Sequence, residues 1–349
     1  MKKLSILIAF LMLLSLTGCG AADAGLLDGV TPAGTGDATD AAEPVADFTA
    51  GLFAHLYDGG DTLVSPVSVL AALSMAEAGA GGDTLAQMEA VFGVDAQTMR
   101  AALAAYMSSV AGTETKIANS IWLRDDIGYV QDTMDTLADV YYASSYRGEM
   151  GTAELDGAIQ GWLNEQTRGL LEEQAASIKT DPLTVLLLAT TLYYSAQWTD
   201  EFNEELNYTD VFHAPSGDVD AEYMYAGKFM DYYSGEGWGA VRLGLRGGHA
   251  MWFILPDEGV SADALLEDAE VMRLMSAGEA GGGEYARVYL SVPKFDIASQ
   301  LDLIDGLKAL GVTDVFDSDV SDFTPMTADA DEICVTTATH AARVKIDED

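Results

Sequence analysis

At 349 residues, with 49% hydrophobic residues and five tryptophans, the chain carries enough apolar material for a large buried core and does not have the composition of a disordered segment. Its charge is lopsided: 17 Lys and Arg against 56 Asp and Glu give a formal net charge of −39, which repels phosphate backbones and anionic headgroups and excludes nucleic acid as a partner. The acidity reads as a device for solubility rather than as a specific cation site.

The first nineteen residues form one unit. Lys2 and Lys3 precede an apolar run from Leu4 to Leu16, which closes in Leu16-Thr17-Gly18-Cys19. A basic start, a short apolar stretch and small residues before a cysteine make a secretion signal, too short for a spanning helix. The closing tetrapeptide resembles the bacterial lipobox, so Cys19 is the expected lipidation site and the membrane becomes a partner through that lipid. Ordinary signal cleavage beside an incidental cysteine is the alternative. The expected location is the extracellular face of the cell membrane. With Cys19 lipidated, only Cys334 remains; it cannot form an intrachain disulfide, and its alternating surroundings fit a small packed residue rather than a nucleophile.

Residues 20–44 are rich in Ala, Gly, Asp and Thr, include Pro32 and Pro44, and lack a periodic apolar face, as a flexible tether does. Residues 45–349 then read as one large domain. Phe48, Leu52, Phe53 and Leu56 share a helical stripe. Ser65-Pro66 offers an N-cap followed by proline at the first helical position, and Gly79 ends that helix. Thr84 and Gln87 have the spacing of a capping box for the next helix. Further helices are expected at 96–110, 131–142 and 156–170, with a strand at 116–122 between the first two. Residues 184–194 form a nearly continuous apolar run suited to a central strand covered on both faces. Strands dominate from Trp198 to 255. Two short helices follow at about 261–276, then a strand at 285–297, a helix at 300–310 and a last alternating strand at 332–346. The order of these elements predicts an α+β domain.

The sequence lacks the motifs of common catalysis: HExxH, CxxC, GxGxxG after a strand and a Walker lysine are all absent. The four histidines are scattered at 55, 213, 249 and 340, none at metal-ligand spacing from another, so no metal and no cofactor are expected. Gly79 to Thr84 reads as a helix-to-helix turn, not a phosphate loop. Ser65 or Ser68 with His340 could suggest a hydrolase, but no G-x-S-x-G elbow occurs, and a serine at a helix start is ordinarily a cap.

An ordered series of motifs resembles the serpin family. Ser65-Pro66-x-Ser68 with Gly79-Ala80-x-Gly82-x-Thr84 resembles its opening, and Asn119-Ser120-Ile121-Trp122 its "ANSIW" strand. Trp162-Leu163-Asn164, Thr167 and Gly169 are similar to its W-V-N-x-x-T-x-G helix; Leu192-Tyr193-Tyr194, Trp198 and Phe202 continue the match. Phe212, Gly217, Met224 and Ile254-Leu255-Pro256 follow, then Val292-Pro293-Lys294-Phe295, the Leu303, Leu307, Leu310-Gly311, Asp314, Phe316 series and Ser321-Asp322-Phe323-Thr324. His340-Ala341-Ala342-x-Val344-x-Ile346-Asp347-Glu348 resembles H-K-A-x-V-x-V-N-E. The matches keep order and spacing across residues 45–349.

The resemblance implies a serpin-like α+β fold, with a helical N-terminal part and large mixed and antiparallel sheets, and a non-enzymatic function. A serpin traps a serine or cysteine protease by inserting a cleaved reactive loop into its main sheet as an extra strand. A polar cluster called the shutter lies where that sheet parts; Ser65, Ser68 and His340 match it, and Thr190 stands where the family has asparagine. Trp198 matches the tryptophan of the breach at the top of the sheet, and Lys294 and Glu348 match a pair that closes the same place. The loop should begin after Glu348. This chain ends at Asp349, so the expectation is a scaffold without reactive loop and last strands, not inhibitory as it stands. A target protease is the implied partner of the full-length form. A non-inhibitory extracellular binding protein on the same scaffold is the alternative, and a hydrolase a distant third. The molecule is expected to be a monomer. Heparin is an unexpected partner, because the 96–110 helix carries Arg100 as its only base.

Overall fold

The computed structural model describes residues 6–19, 42–110, 115–214, 217–278 and 281–348. Helices dominate the first third. Helix α1 (Ala42–Leu56) begins inside the stretch read as a tether, whose residues 20–41 lie outside the described residues. Its Phe48 and Leu52 are buried, and the Phe48 ring meets Phe92 edge-on at 5.6 Å. Helix α2 (Pro66–Glu77) starts as its sequence dictates, with Ser65 capping through its side chain and Pro66 following. Every residue from Ser68 to Glu77 is buried, so α2 is a central strut rather than an amphipathic surface helix. At its end Gly79 permits close packing: a Cβ there would stand 2.2 Å from the Met326 side chain.

Helix α3 (Gly82–Phe92) corrects one expectation. No capping box forms at Thr84 and Gln87; Gly81 occupies the cap position without a side-chain bond. Thr84 Oγ1 accepts from the Asp322 N–H at 2.9 Å, and Gln87 Oε1 accepts from the N–H groups of Thr313 and Asp314, each at 2.9 Å. Bonds to distant chain outcompete the local cap. Helix α4 (Ala96–Val110), strand β2 (Thr115–Arg124), helix α5 (Gln131–Asp139), strand β3 (Ser144–Gly148) and helices α6 (Ala153–Gln166) and α7 (Glu172–Ala176) lead to strand β4 (Thr184–Ala196), nearly all of it buried.

Strands β5 (Tyr208–Ala214), β6 (Gly217–Gly235), β7 (Trp238–Gly244) and β8 (Ala250–Pro256) form a second, antiparallel sheet. Two short helices, α8 (Ala262–Leu265) and α9 (Ala269–Ala277), pack against it. The strand expected at 285–297 is two strands in two sheets: β9 (Glu284–Pro293) pairs with β6, whereas β10 (Phe295–Asp302) crosses to the main sheet. Lys294 is the single residue between them. Because β10 runs to Asp302, helix α10 starts at Ile304, not at 300. Strand β11 (Asp331–Ile346) is the last element.

The main sheet is six-stranded, and its order includes an unexpected member. Ile6–Cys19, the segment read as a secretion signal, forms strand β1, and the order is β10-β11-β1-β4-β2-β3. Strand β1 is antiparallel to both β4 and β11, with Met12 opposite Thr190 on one side and His340 on the other. The composition of a signal core is also that of a strand covered on both faces, and β4 has the same character. Backbone pairing on both sides satisfies the strand's own N–H and C=O groups and those of the two edges it joins. Cys19 stands at its end, opposite Asp331, and Cys334 is half-buried on β11.

The core divides around this sheet. One cluster lies between the sheet and the layer of α1, α2, α3 and α4; a second joins the far ends of β4 and β11 to the second sheet; a third lies under α6 and α7. Among the described residues, no helix is long and apolar enough to cross a membrane.

Candidate functional site

The residues singled out from sequence gather at two places along the β4–β11 seam. At the first, the cap of α2 meets the middle of the main sheet. Ser68 Oγ donates to Ser65 Oγ at 3.0 Å, and the Ser65 backbone N–H donates to His340 Nε2 at 3.0 Å. An imidazole nitrogen that accepts must be unprotonated, which places the ring proton of neutral His340 on Nδ1. Ser65, Ser68, Thr190 and His340 are all buried. His340 is therefore engaged through Nε2 by a backbone amide in a closed interior.

Thr190 lies on β4 at the same level as His340, because both stand opposite Met12. With β1 between them they are two strand spacings apart, roughly 9.5 Å. Thr190 Oγ1 is buried and has no hydrogen-bond partner. The structure thus brings Ser65, Ser68 and His340 into one bonded group and leaves Thr190 outside it. A cavity of about 200 Å³ bridges the same seam on the other face, lined by Thr184 and Leu187 of β4, Thr337 and Thr339 of β11 and the chain following α7.

The second place is the top of the seam. Trp198 is fully buried; its Nε1–H donates to the Asp347 carbonyl at 2.8 Å, and its ring meets Phe202 edge-on at 5.6 Å. The Phe202 N–H donates to the Glu348 carbonyl at 3.1 Å, so the chain beyond β11 is stitched to the segment after β4. Lys294 pairs with Glu348 and, at 2.8 Å, with Glu222; Asn207 donates to both carboxylates. Burial pushes the Glu348 carboxyl up, but hydrogen bonds from Lys294 and Asn207 outweigh it and hold the group below the usual glutamate range. The Glu222 carboxyl is held down chiefly by its bond to Lys294, then by Asn207. Partial burial pulls the Lys294 ammonium down, and the two carboxylates more than restore it. Asn207 and Glu222 escaped sequence reading: each is an ordinary polar residue until the fold brings it to Lys294 and Glu348.

Nothing at either place is arranged as a metal centre, and among the described residues no group of three or more His, Cys, Asp or Glu side chains could hold a metal ion. The arrangement offers a seam rather than a reaction centre: two long strands whose facing edges take a third strand, with polar groups pinning the middle and the top.

Comparison with known proteins fits this geometry. The family model described as Serpin (serine protease inhibitor) matches residues 43–349. The chain is 26% identical to Ipis-1 of Ixodes persulcatus over 301 residues, covering 83% of this chain and 79% of that protein. It is 25% identical to plasminogen activator inhibitor 1 of Mus musculus over 309 residues, covering 82% and 75%. Among solved structures it is similar to the thermophilic serpin tengpin in its native state, at 24% identity and a TM-score of 0.79, covering 95% of this chain and 87% of that one.

Two outcomes test the site. Thr190→Val, which removes an unpartnered buried hydroxyl while keeping its shape, is expected to leave the unfolding midpoint unchanged or raise it, a gain of up to about 1–3 kcal/mol. A clear loss of stability would mean that the hydroxyl is bonded. Lys294→Met should cost about 1–3 kcal/mol by leaving Glu348 buried without its cation, and the double variant with Glu348→Gln should recover most of that loss. Because the folded-state Glu348 carboxyl sits low, its contribution is present above pH about 4.5 and disappears as the pH falls through the depressed value, measurable by denaturant titration in acid.

Proposed function

Since the chain belongs to the serpin family, we propose that it is the scaffold of a protease inhibitor that works by accepting an extended segment as an added strand between β4 and β11. The observation that carries this reading is the seam itself: both edges bond a strand from elsewhere in the chain, antiparallel, through the register from Leu7 to Leu16. An inhibitor of this kind draws its free energy from completing a buried sheet, and the polar groups at the middle and top of the seam set how easily it parts. The occupant that the family implies is the reactive loop, expected after Glu348.

Lipidation at Cys19 belongs to the same proposal. Cleavage before Cys19 would remove nearly all of β1 and free the seam for another strand, while the lipid would hold the domain at the extracellular face of the membrane, as a monomer. Proteases of foreign origin are the partners such a position would expose it to. A polyanion such as heparin is no natural partner for this surface, because Arg100, the base carried by α4, is half-buried and faces the side chains of Glu77 and Tyr141.

A non-inhibitory binding protein is the second reading, and one observation favours it. Phe229, Tyr285, Tyr289 and Leu255 are each more than half exposed on the second sheet, and Phe229 stacks on Tyr285 at 5.8 Å. Aromatic surface of that kind suits a partner protein.

The two readings separate in one experiment. The protein expressed from its native locus is incubated with a panel of serine and cysteine proteases and resolved under denaturing conditions. A protease complex that survives SDS is the expected outcome for an inhibitor. Simple cleavage, or no change with every protease, would overturn the inhibitor reading in favour of the binding scaffold.

A further inference from the structure

Helix α2 is anchored by polar groups at both ends. Its first turn belongs to the Ser65, Ser68 and His340 group, and its last turn enters a second buried cluster that the seam does not use. There Ser74 Oγ donates to Glu77 Oε2 at 3.2 Å and lies 2.7 Å from Tyr141 Oη, which also donates to the Ser74 carbonyl at 3.0 Å. Asn119 of β2 donates through Nδ2 to the Tyr141 carbonyl at 2.7 Å. Ser74, Glu77, Asn119 and Tyr141 are all buried, and Glu77 is 1% exposed.

A carboxylate in that position is costly. Glu77 Oε1 has no hydrogen-bond partner, and Arg100 on α4, the cation that faces it, is hydrogen-bonded to Tyr141 while its Nε has no partner. A buried charge is tolerated only when it is fully bonded and paired; otherwise the group is neutral. Around Glu77 stand Arg100 from α4, Glu89 from α3, Asp95 from the α3–α4 turn, Tyr141 from the chain after α5 and Ser74 from its own helix. One cation therefore faces two further carboxylates, so the surroundings do not favour a negative charge.

We infer that Glu77 is a proton-operated latch at the C-terminal end of α2: neutral, it closes the junction of α2, α4 and the Tyr141 segment, and on ionising it loosens that junction. Protonated, the carboxyl keeps its bond to Ser74 through Oε2 and leaves an unmet hydrogen bond at Oε1 but no buried charge. Loss of the proton leaves a charge that must draw in Arg100 or admit water, and either move disturbs the packing of α4 on α2. Burial dominates the resulting shift, with Ser74 and Arg100 opposing it and Glu89 and Asp95 adding to it, and the Glu77 carboxyl is pushed up to about 7.

The direction follows from linkage. The folded value lies above the ordinary 4.5, so the native state holds a proton that the unfolded state has released. The stabilisation is complete below about pH 4.5, is lost as the pH rises towards 7, and does not change further above it. Glu77→Gln keeps the shape and hydrogen-bonding capacity of the neutral carboxyl and cannot ionise.

The test measures unfolding midpoints of wild type and Glu77→Gln from pH 5 to 8, together with hydrogen exchange in α4 corrected for the intrinsic pH dependence. Wild type is expected to lose roughly 5–10 °C relative to Glu77→Gln across this range, with the difference growing steadily from pH 5 and levelling off near neutrality. Amides of α4 should exchange faster at pH 8 in wild type alone. Parallel midpoint curves and equal exchange in the two proteins would overturn the inference. Should Glu77→Gln fail to fold, Arg100→Gln takes its place: removal of the one nearby cation should move the wild-type transition to higher pH, and an unmoved transition is the contrary result.

Discussion

Strands β4 and β11 are long and not adjacent; β4 is buried on both faces, and β11 buries one face and part of the other. Each needs a neighbour along the edge that faces the other, because a row of unpaired N–H and C=O groups inside a core costs far more than the net stability of a domain allows. Two arrangements meet that demand: the strands close on each other, or a third strand fills the gap. In this structure Ile6–Cys19 fills it, paired on both sides over nearly its whole length. The rest of the architecture supports one seam that must be either shut or occupied.

The polar residues fall into place around that constraint. Ser65, Ser68 and His340 tie the start of α2 to β11 at mid-seam, while Thr190, across the gap on β4, keeps a buried hydroxyl without a partner. Closure of the seam would bring Thr190 directly opposite His340, since both are in register with Met12. The unmatched hydroxyl is therefore a group whose bonding depends on the state of the sheet. At the top, Trp198, Lys294, Glu222, Asn207 and Glu348 join the chain after β4, strand β6, the β9–β10 junction and the end of β11. Their bonds bind four separated pieces of chain at the top of the seam. Glu77 works at the opposite end of α2, so one buried helix spans the seam and a group sensitive to protons.

What could be read in the sequence was what local physics decides. The Ser65-Pro66 start of α2, the doubly covered strand β4 and the alternation of β11 all appear where periodicity and capping place them. The pattern of motifs then located Ser65, Ser68, His340, Trp198, Lys294 and Glu348. Misreadings arose where distant chain overrides local preference. Thr84 and Gln87 have the spacing of a capping box but spend their oxygens on Asp322, Thr313 and Asp314. The stretch around Lys294 looks like one strand because both halves alternate, and only the sheets they join reveal two. Residues 6–19 stand apart from these: they pair as strand β1, and their composition is shared by signal cores and doubly covered strands, so hydropathy alone does not separate the two readings. Asn207 and Glu222 had no signal at all, since their role exists only through residues far along the chain. Glu77 was hidden in a different way: a single acidic residue near the end of a helix reads as solvent-facing until α4 and Tyr141 cover it.

The central claim is that the β4–β11 seam shuts when its strand is absent, and a cross-link measures this directly. Ala189 and Thr339 both stand opposite Leu13. With the strand present they are roughly 9.5 Å apart, beyond disulfide reach, whereas β4 and β11, both antiparallel to β1 and so parallel to each other, would lie about 4.8 Å apart as direct neighbours, within it. Ala189→Cys with Thr339→Cys, in a background carrying Cys19→Ser and Cys334→Ser, would be oxidised in the whole chain and in a chain that starts at residue 20. The account predicts cross-linking in the shortened chain and little in the whole one. Equal yields in the two chains would contradict it.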